Sequence, residues 1–182
     1  MMFGVGVLKG MIVTLRNFVT SYFCKPENGG IFTVQYPEER CPEIETFRNF
    51  PFLVYDVSPD KPRCVACGIC ERECPPKCIY IVMETDATGK PTRKPAIFDI
   101  DYGICMNCGI CEDVCPFDSI YMDHDFEVTA RERTGNGIIR HKEDLLKAGE
   151  YFRKTRPKTA AAFDEKKRLA EEKKKVPPTP AV

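Results

Sequence analysis

Two runs of cysteines with identical spacing are the residues of this sequence that point most directly to chemistry. Each run reads Cys-x2-Cys-x2-Cys-x3-Cys-Pro; the first contains Cys64, Cys67, Cys70 and Cys74, and the second contains Cys105, Cys108, Cys111 and Cys115. Three cysteines separated by two residues each can point inward from one tight loop, so that their thiolates take three corners of one cubic cluster. The spacing therefore predicts two 4Fe-4S clusters as cofactors.

The match between the two runs extends beyond the cysteines. Every cysteine of the second run lies 41 residues after its counterpart, and the same shift relates Gly68 to Gly109, Ile69 to Ile110, and Glu71 to Glu112. This regularity indicates an internal duplication. Each copy is expected to form a loop, a short helix that ends at the proline, and then a strand that begins at Ile79 or Ile120.

The fourth cysteine of each run is expected to bind the cluster of the other run, as it does in two-cluster proteins with this spacing. The first cluster is then bound by Cys64, Cys67, Cys70 and Cys115, and the second by Cys105, Cys108, Cys111 and Cys74. Crossed ligation would fix the distance between the clusters, which electron tunnelling needs. Gly68 and Gly109 lack a Cβ, so backbone N–H groups can approach the cluster sulfurs and help set the reduction potential.

Zinc and disulfides are the alternative uses of these cysteines. Cys-x2-Cys pairs also build structural zinc sites, but such a site needs only two pairs, whereas each run here has three evenly spaced cysteines, a fourth and a proline. The N-terminus lacks an arginine-rich n-region and a small-x-small cleavage site, so no secretory signal is predicted. Without one, the usual reason to expect a disulfide framework is absent.

The other polar and sulfur-bearing residues near the runs are given no chemical role. Cys24, Cys41 and Cys78 are expected to be small buried hydrophobic residues, and the counterpart of Cys78 in the second copy is Ser119. His124 and His141 lie among charges and are expected to be solvated. The acidic residues near the runs are expected on exposed helix faces, and no catalytic residue is predicted; they are Glu71, Glu73, Glu112 and Asp113.

An amphipathic helix is predicted before the cysteine runs. From Leu8 to Tyr22 apolar residues recur at helical spacing, while Lys9 and Arg16 lie on the opposite face. These charges interrupt the apolar run well short of the roughly 20 residues that a membrane span needs. The helix lies either in a membrane interface, or against a membrane subunit, or over the core of its own domain.

The remaining elements complete an α+β fold: a duplicated bacterial ferredoxin-like domain for two 4Fe-4S clusters, with extended arms at both termini. Strands are predicted at Phe52–Tyr55, Ile79–Glu84 and Ala96–Ile100, with a loop at Thr85–Pro95 and helices at Lys142–Phe152 and Thr159–Lys175. The predicted segments are an interfacial helix (1–23), an irregular docking segment (24–52), the cluster domain (53–125), an extension that packs on neighbouring subunits (126–158), and a basic tail (159–182) with a disordered tip (176–182).

Charge is unevenly distributed along a neutral chain. Lysine plus arginine and aspartate plus glutamate each number 27, yet residues 151–182 contain ten basic and four acidic side chains. A basic tail of this kind typically contacts a protein partner or stays solvated, so no nucleic-acid partner is predicted. The first 23 residues contain one arginine, so no mitochondrial transit peptide is predicted and a prokaryotic protein is favoured.

The sequence resembles the NADH-quinone oxidoreductase subunit I family of respiratory complex I, and the match extends beyond the cysteines themselves. The matching stretches are Thr33-Val34-Gln35-Tyr36-Pro37-Glu38-Glu39, then Arg63-Cys64-Val65-Ala66-Cys67-Gly68-Ile69-Cys70, Phe126-Glu127 and His141-Lys142-Glu143-Asp144-Leu145-Leu146. The resemblance covers roughly residues 5–150. Residues 24–30 look like a small insertion, and the tail past about residue 155 is not part of the shared pattern.

The resemblance implies an electron-relay subunit of a membrane-bound oxidoreductase and translocase, with no active site of its own. Its two clusters would pass single electrons toward the terminal cluster beside the quinone site. The implied partners are the terminal-cluster subunit, the quinone-site subunit, the large iron–sulfur subunit, a membrane-arm subunit and, through the N-terminal helix, the membrane interface. The implied location is peripheral, at the cytoplasmic face of a prokaryotic inner membrane.

Two other functions remain open at this stage. The first is the equivalent subunit of a membrane-bound hydrogenase or of a ferredoxin-fed relative of complex I, because the chain contains no nucleotide motif that would identify the electron donor. The second is a diffusible ferredoxin. Carriers of that kind are short, whereas about 60 residues precede the first run here and about 60 follow the second.

Overall fold

The computed structural model describes residues 4–25, 30–31, 33–41, 43–133 and 137–175, and for residues 170 and 173–175 it describes the backbone alone. The chain divides into two compact units, Met1–Pro42 and Glu43–Val182. Each unit is described by itself. The predicted disordered tip, residues 176–182, lies outside the described residues, as do residues 26–29 of the predicted insertion.

The first unit contains helix α1, Val5–Phe23, which confirms the predicted N-terminal helix. None of its 19 residues is buried. The hydroxyl groups of Thr14, Thr20 and Ser21 each donate a hydrogen bond to a carbonyl three residues earlier, so the helix satisfies its own hydroxyls. No helix in the described part of the chain is long and apolar enough to cross a membrane.

The second unit contains two three-stranded sheets. Strands β4 (Ile120–Met122), β1 (Pro51–Tyr55) and β6 (Leu146–Ala148) form one sheet in that order. Strands β2 (Ile79–Thr85), β3 (Pro91–Asp101) and β5 (Ile139–Arg140) form the other. The short helices α2 (Ile69–Glu73) and α3 (Ile110–Asp113) lie within the two cysteine runs, and each contains the third cysteine of its run.

Strand pairing connects the two cysteine runs in both sheets. Strand β1 precedes the first run and pairs antiparallel with β4, which follows the second run. Strand β2 follows the first run and pairs antiparallel with β3, which precedes the second. The predicted strands at Phe52–Tyr55 and Ile79–Glu84 are confirmed.

The β2–β3 hairpin is longer than the sequence predicted. Strand β3 begins at Pro91 and pairs as far as Thr85 opposite Pro91, so much of the predicted loop Thr85–Pro95 is strand. Two register shifts in the pairing accommodate the prolines, which cannot donate a ladder hydrogen bond. The turn itself closes at Gly89, whose φ of 76° suits glycine.

The C-terminal segment contains helices α4 (Lys142–Leu145), α5 (Gly149–Thr155) and α6 (Pro157–Lys175). The prediction of a continuous helix over Lys142–Phe152 is wrong, because Leu146–Ala148 form strand β6 between two short helices. These residues pair in parallel with β1, where Leu53 lies opposite Leu146. The predicted helix Thr159–Lys175 is confirmed within α6.

Strand β1 is buried on both of its faces. Leu53 packs in a core that contains Cys64, Cys70, Cys74 and Cys78. Because successive side chains of a strand point to opposite faces, Phe52 and Val54 point the other way, where they pack with Tyr121, Phe152 and Ala160. The C-terminal helices thus cover the side of the sheet that faces away from the cysteines.

A buried ion pair connects α3 to the C-terminal segment, which corrects the expectation that Glu112 is exposed. Arg156 is 5% exposed; its Nη1 lies 2.5 Å from Glu112 Oε1, and its Nε donates to the carbonyl of Met122 at 3.1 Å. Burial raises the pKa of Glu112, against the opposing effects of the Met122 N–H and the Arg156 guanidinium. Breaking such a pair by removing one partner is costly.

The expectation that His124 is solvated is also wrong. Its side chain is 13% exposed, its Nδ1 lies 3.1 Å from Glu43 Oε2, and its Nε2 lies 3.3 Å from the carbonyl oxygen of Glu45. The ring packs edge-on against Phe47. His141 is 44% exposed and contacts Asp99 at 2.8 Å. The sequence did not reveal these contacts, because the partners of both histidines are distant in sequence.

Replacing Phe152 with alanine should destabilise the second unit by about 3–5 kcal/mol, because it removes a large side chain from a fully packed site. Phe152 is 1% exposed and stacks on Tyr121 with ring centroids 4.2 Å apart. The matched control is Leu169→Ala on α6, where the side chain is 45% exposed and the expected change is below about 0.5 kcal/mol. Unfolding by denaturant under anaerobic conditions measures both. Equal stability of the two variants would contradict this packing.

Candidate metal centres

Backbone geometry makes each cysteine run a tight loop. In the first run Ala66 and Gly68 have φ values of 54° and 70°, and in the second run Asn107 and Gly109 have values of 51° and 80°. Left-handed conformations at these alternating positions turn the chain sharply between the cysteines. Ala66 and Asn107 adopt them at a cost of about 1–3 kcal/mol each, and such strain is typical of functional sites.

Four cysteines line a cavity in front of the first loop. Cys64, Cys67 and Cys70 come from the first run, and Cys115 comes from the second. The other residues that line this cavity include Leu53, Ile81, Phe98 and Ile120. Three thiols from one loop thus meet a fourth from the other copy.

A second cavity lies in front of the second loop. Cys105, Cys108 and Cys111 line it together with Cys74 from the first run and Cys78. Its apolar wall includes Pro51, Ile79 and Met122. The structure therefore brings the eight cysteines together in the same two crossed sets that the sequence predicted, while the assignment of ligands stays a prediction.

The chemistry of these cavities fits an iron–sulfur cluster. Burial, followed by the neighbouring thiolates, raises the pKa of Cys70 and of Cys111 to about 12. Buried thiols of this kind ionise readily only next to a cation, and a metal deprotonates a coordinating thiol. In the described part of the chain, no group of three His, Cys, Asp or Glu residues is placed to hold a single metal ion. A 4Fe-4S cluster binds each of its four thiolates through a different iron atom, so it holds them further apart.

The two cavities lie beside each other. The thiolate of Cys70, from the first set, contributes to the raised pKa of Cys111, from the second. Buried cysteines of both sets also belong to one hydrophobic core, in which Cys64 and Cys70 pack with Cys74. Groups bound in both cavities would be close neighbours.

The residue four positions after the last cysteine of each run contacts that cysteine. Cys78 Sγ lies 3.4 Å from Cys74 Sγ, and Ser119 Oγ lies 3.2 Å from Cys115 Sγ. A hydrogen bond with Cys78 also lowers the pKa of Cys105 to about 6. The burial predicted for Cys78 is confirmed, but its contacts make it more than a packing residue. Ser119 could have been found from the sequence, because it is the counterpart of Cys78 in the second copy.

Two other cysteines differ from expectation. Cys41 is exposed, so the prediction that it is buried is wrong, and Cys24 is only half-buried. Both lie in the first unit, where α1 buries no residue and offers no core. All eleven cysteines fall in the described part of the chain, and all are free.

Comparison with known proteins shows which proteins the chain resembles. A family model described as a 4Fe-4S dicluster domain matches residues 63–119. NADH-quinone oxidoreductase subunit I of Magnetococcus marinus is 39% identical over 93 residues, which are 51% of this chain and 50% of that protein. NADH-quinone oxidoreductase subunit I 1 of Geobacter sulfurreducens is 39% identical over 82 residues, which are 45% of this chain and 54% of that protein. The resemblance to the NADH-quinone oxidoreductase subunit I family is confirmed.

The chain spans about half the length of these curated relatives. A chain of the archaeal membrane-bound sulfane sulfur reductase, a respiratory membrane complex, matches with a TM-score of 0.42 and 23% identity, covering 78% of this chain and 67% of that one. A likeness at that level supports no argument about function.

The dicluster match contains all eight predicted cysteine ligands and ends at Ser119. Together with the helices and sheets of the second unit, it confirms a ferredoxin-like α+β domain of the 4Fe-4S type.

Arg48 lies near the second cavity, and the sequence analysis did not single it out. Its Nη1 donates a hydrogen bond to the carbonyl of Cys108 at 2.7 Å, although the two residues are 60 positions apart.

Single replacements can test the crossed arrangement of the eight cysteines. If Cys115 belongs with the first set, Cys115→Ala should alter the same reduced-cluster signal in electron paramagnetic resonance as Cys67→Ala. By the same reasoning, Cys74→Ala should alter the signal that Cys105→Ala alters. Cys41→Ala, at an exposed position, should leave both signals intact. If Cys115→Ala alters the signal that Cys105→Ala alters, and not the one that Cys67→Ala alters, crossed ligation is ruled out.

Proposed function

We propose that the chain is the electron-relay subunit of a membrane-bound complex of the NADH-quinone oxidoreductase type. It passes single electrons through two 4Fe-4S clusters toward the terminal cluster at the quinone site. The observation that carries the proposal is the pair of adjoining cavities, each lined by three cysteines of one run and one of the other. The names of the curated relatives support the type of complex.

The eight cysteines have one role each in this proposal. Cys64, Cys67, Cys70 and Cys115 bind the first cluster, and Cys105, Cys108, Cys111 and Cys74 bind the second. A bound 4Fe-4S cluster supplies one-electron redox chemistry. The thiolates hold it, and the apolar side chains that line the cavities, such as Phe98 and Ile79, keep water away.

The fold contributes position. Because β1 pairs with β4 and β2 pairs with β3, the strands that flank one run are hydrogen-bonded to those that flank the other. The two sets of thiols therefore keep a fixed separation, which electron transfer between clusters requires. No charged side chain is among the described residues that line either cavity, which suits a carrier that binds no substrate.

Helix α1 supports the proposal of a peripheral membrane protein. Leu8, Met11, Ile12, Leu15 and Phe18 lie on one exposed side of the helix. A helix with such an apolar face and satisfied hydroxyl groups is suited to a membrane interface. We place the subunit at the cytoplasmic face of a prokaryotic inner membrane, where the two terminal arms of a duplicated cluster domain contact the neighbouring subunits of the complex.

Replacing Cys105 with alanine tests the relay. In the native assembly this variant should lose the signal of the second cluster and stop donor-driven reduction of quinone, because the path of electrons is interrupted. The matched control is Cys41→Ala, which removes an exposed cysteine outside both cavities and should leave turnover unchanged. Assembly of the complex is checked by gel filtration. Unimpaired turnover in an assembled Cys105→Ala complex would remove the relay role.

A further inference from the structure

The two cysteine loops differ in the charged side chain that lies over their glycines. At Gly109, an added Cβ would lie 3.1 Å from Arg48 Nε and 3.3 Å from Arg48 Cζ, so the guanidinium lies against the α-carbon. At Gly68, the corresponding position of the first loop, the nearest atom is Glu71 Oε2 at 3.8 Å. One loop therefore has a cation at this place and the other has a carboxylate.

Arg48 is held in position although its side chain is exposed. Its Nη1 donates to the carbonyl of Cys108 at 2.7 Å. On one side, the carbonyl of Phe47 accepts a hydrogen bond from Arg156. On the other side, Phe50 stacks on Tyr102 with ring centroids 4.2 Å apart. The backbone around Arg48 is thus attached to the same unit that contains both cavities.

The glycine allows this contact. A side chain at position 109 would push the guanidinium away from the loop, because the distances to Arg48 are shorter than ordinary carbon contacts. Gly109 also has a φ of 80°, which disfavours any other residue. The requirement for glycine therefore serves both the turn of the loop and the approach of Arg48.

Charge at this place acts on the reduction potential. Reduction adds negative charge to a cluster, so a nearby cation stabilises the reduced form and a nearby anion destabilises it. An arginine stays charged at every relevant pH. The described residues that line the two cavities include no charged side chain, so Arg48 and Glu71 are the charges closest to the two loop glycines.

Neutral hydrogen-bond donors are present at both sites. Cys78 lies next to Cys74 in the second cavity, and Ser119 lies next to Cys115 in the first. A hydroxyl is the stronger donor of the two, which by itself would favour reduction at the first site. Donors at both sites act in the same direction, whereas the charges of Arg48 and Glu71 have opposite signs.

We infer that Arg48 is a positioning residue that holds the reduction potential of the cluster bound by Cys105, Cys108 and Cys111 above that of the cluster bound by Cys64, Cys67 and Cys70. The inference rests on the proposed function, since it requires two clusters. It adds a direction: an electron that reaches the pair resides preferentially on the second cluster. Nearly identical loops are thereby made unequal by one residue that lies outside both runs.

Redox titration of the full-length, cluster-loaded chain tests this inference. Arg48→Gln should lower the reduced-to-oxidised ratio of the second cluster by about tenfold at a given potential, which is about 59 mV for one electron. The first cluster should stay unchanged. Arg48→Lys keeps the charge and should shift the ratio by less than about threefold. The matched control, Lys90→Gln, removes an exposed cation in the β2–β3 turn and should shift neither cluster.

The dependence of the two reduction potentials on ionic strength gives a second measurement. Because Arg48 is exposed, salt should screen its charge, so the potential of the second cluster in the unaltered chain should fall with added salt more than that of the Arg48→Gln variant. Glu71→Gln should shift only the first cluster, toward easier reduction. The two clusters are assigned from Cys67→Ala and Cys105→Ala, each of which alters one signal.

The outcomes separate this inference from the proposed function. A chain that contains both clusters and sustains quinone reduction, but whose second cluster keeps its potential in Arg48→Gln, would overturn the role of Arg48 alone. A chain without two clusters would overturn both. Should Arg48→Gln fail to retain its clusters, Arg48→Lys and the salt dependence of the unaltered chain decide: equal salt shifts of the two clusters would overturn the inference.

Discussion

Each cysteine set takes three thiols from one loop and the fourth from the other copy, and this crossed requirement determines much of the second unit. A fourth thiol such as Cys115 reaches the first cavity only if the two copies are held together. The sheets provide this, because every strand that leaves one run pairs with a strand that enters the other. Neither copy completes a set of four thiols alone, because the fourth cysteine of each run lines the cavity of the other.

Burial of several cysteine thiols in an apolar core is the second constraint. Thiols such as Cys70 and Cys111 lie among aliphatic and aromatic side chains, which disfavours their charged forms. Strained backbone at Ala66 and Asn107 adds to this cost. Both are understandable if a metal group supplies the compensating interactions, since binding free energy then contributes to folding. The same apolar walls that disfavour free thiolates would protect a bound cluster from water.

Local patterns in the sequence predicted the cysteine loops, helix α1 and strands β1 and β2, because spacing and periodicity are properties of neighbouring residues. Features that depend on distant partners were missed. Strand β6 interrupts a stretch of helical composition only because β1 offers it a parallel edge. Glu112 is half-buried and pairs with Arg156, which lies 44 residues later. Arg48 lies against Gly109, and nothing in the spacing of either cysteine run indicates this contact.

The C-terminal segment is energetically part of the cluster domain. Strand β1 has Leu53 in the cysteine core, while Phe52 and Val54 need cover that only residues after the dicluster match, such as Phe152 and Ala160, provide. Arg156 from the same segment is hydrogen-bonded to α3, which follows the second loop. A short ferredoxin-like core cut after β4 would expose one face of its central strand. The length of chain beyond the cysteines therefore stabilises the geometry of the sites, whatever else it contacts.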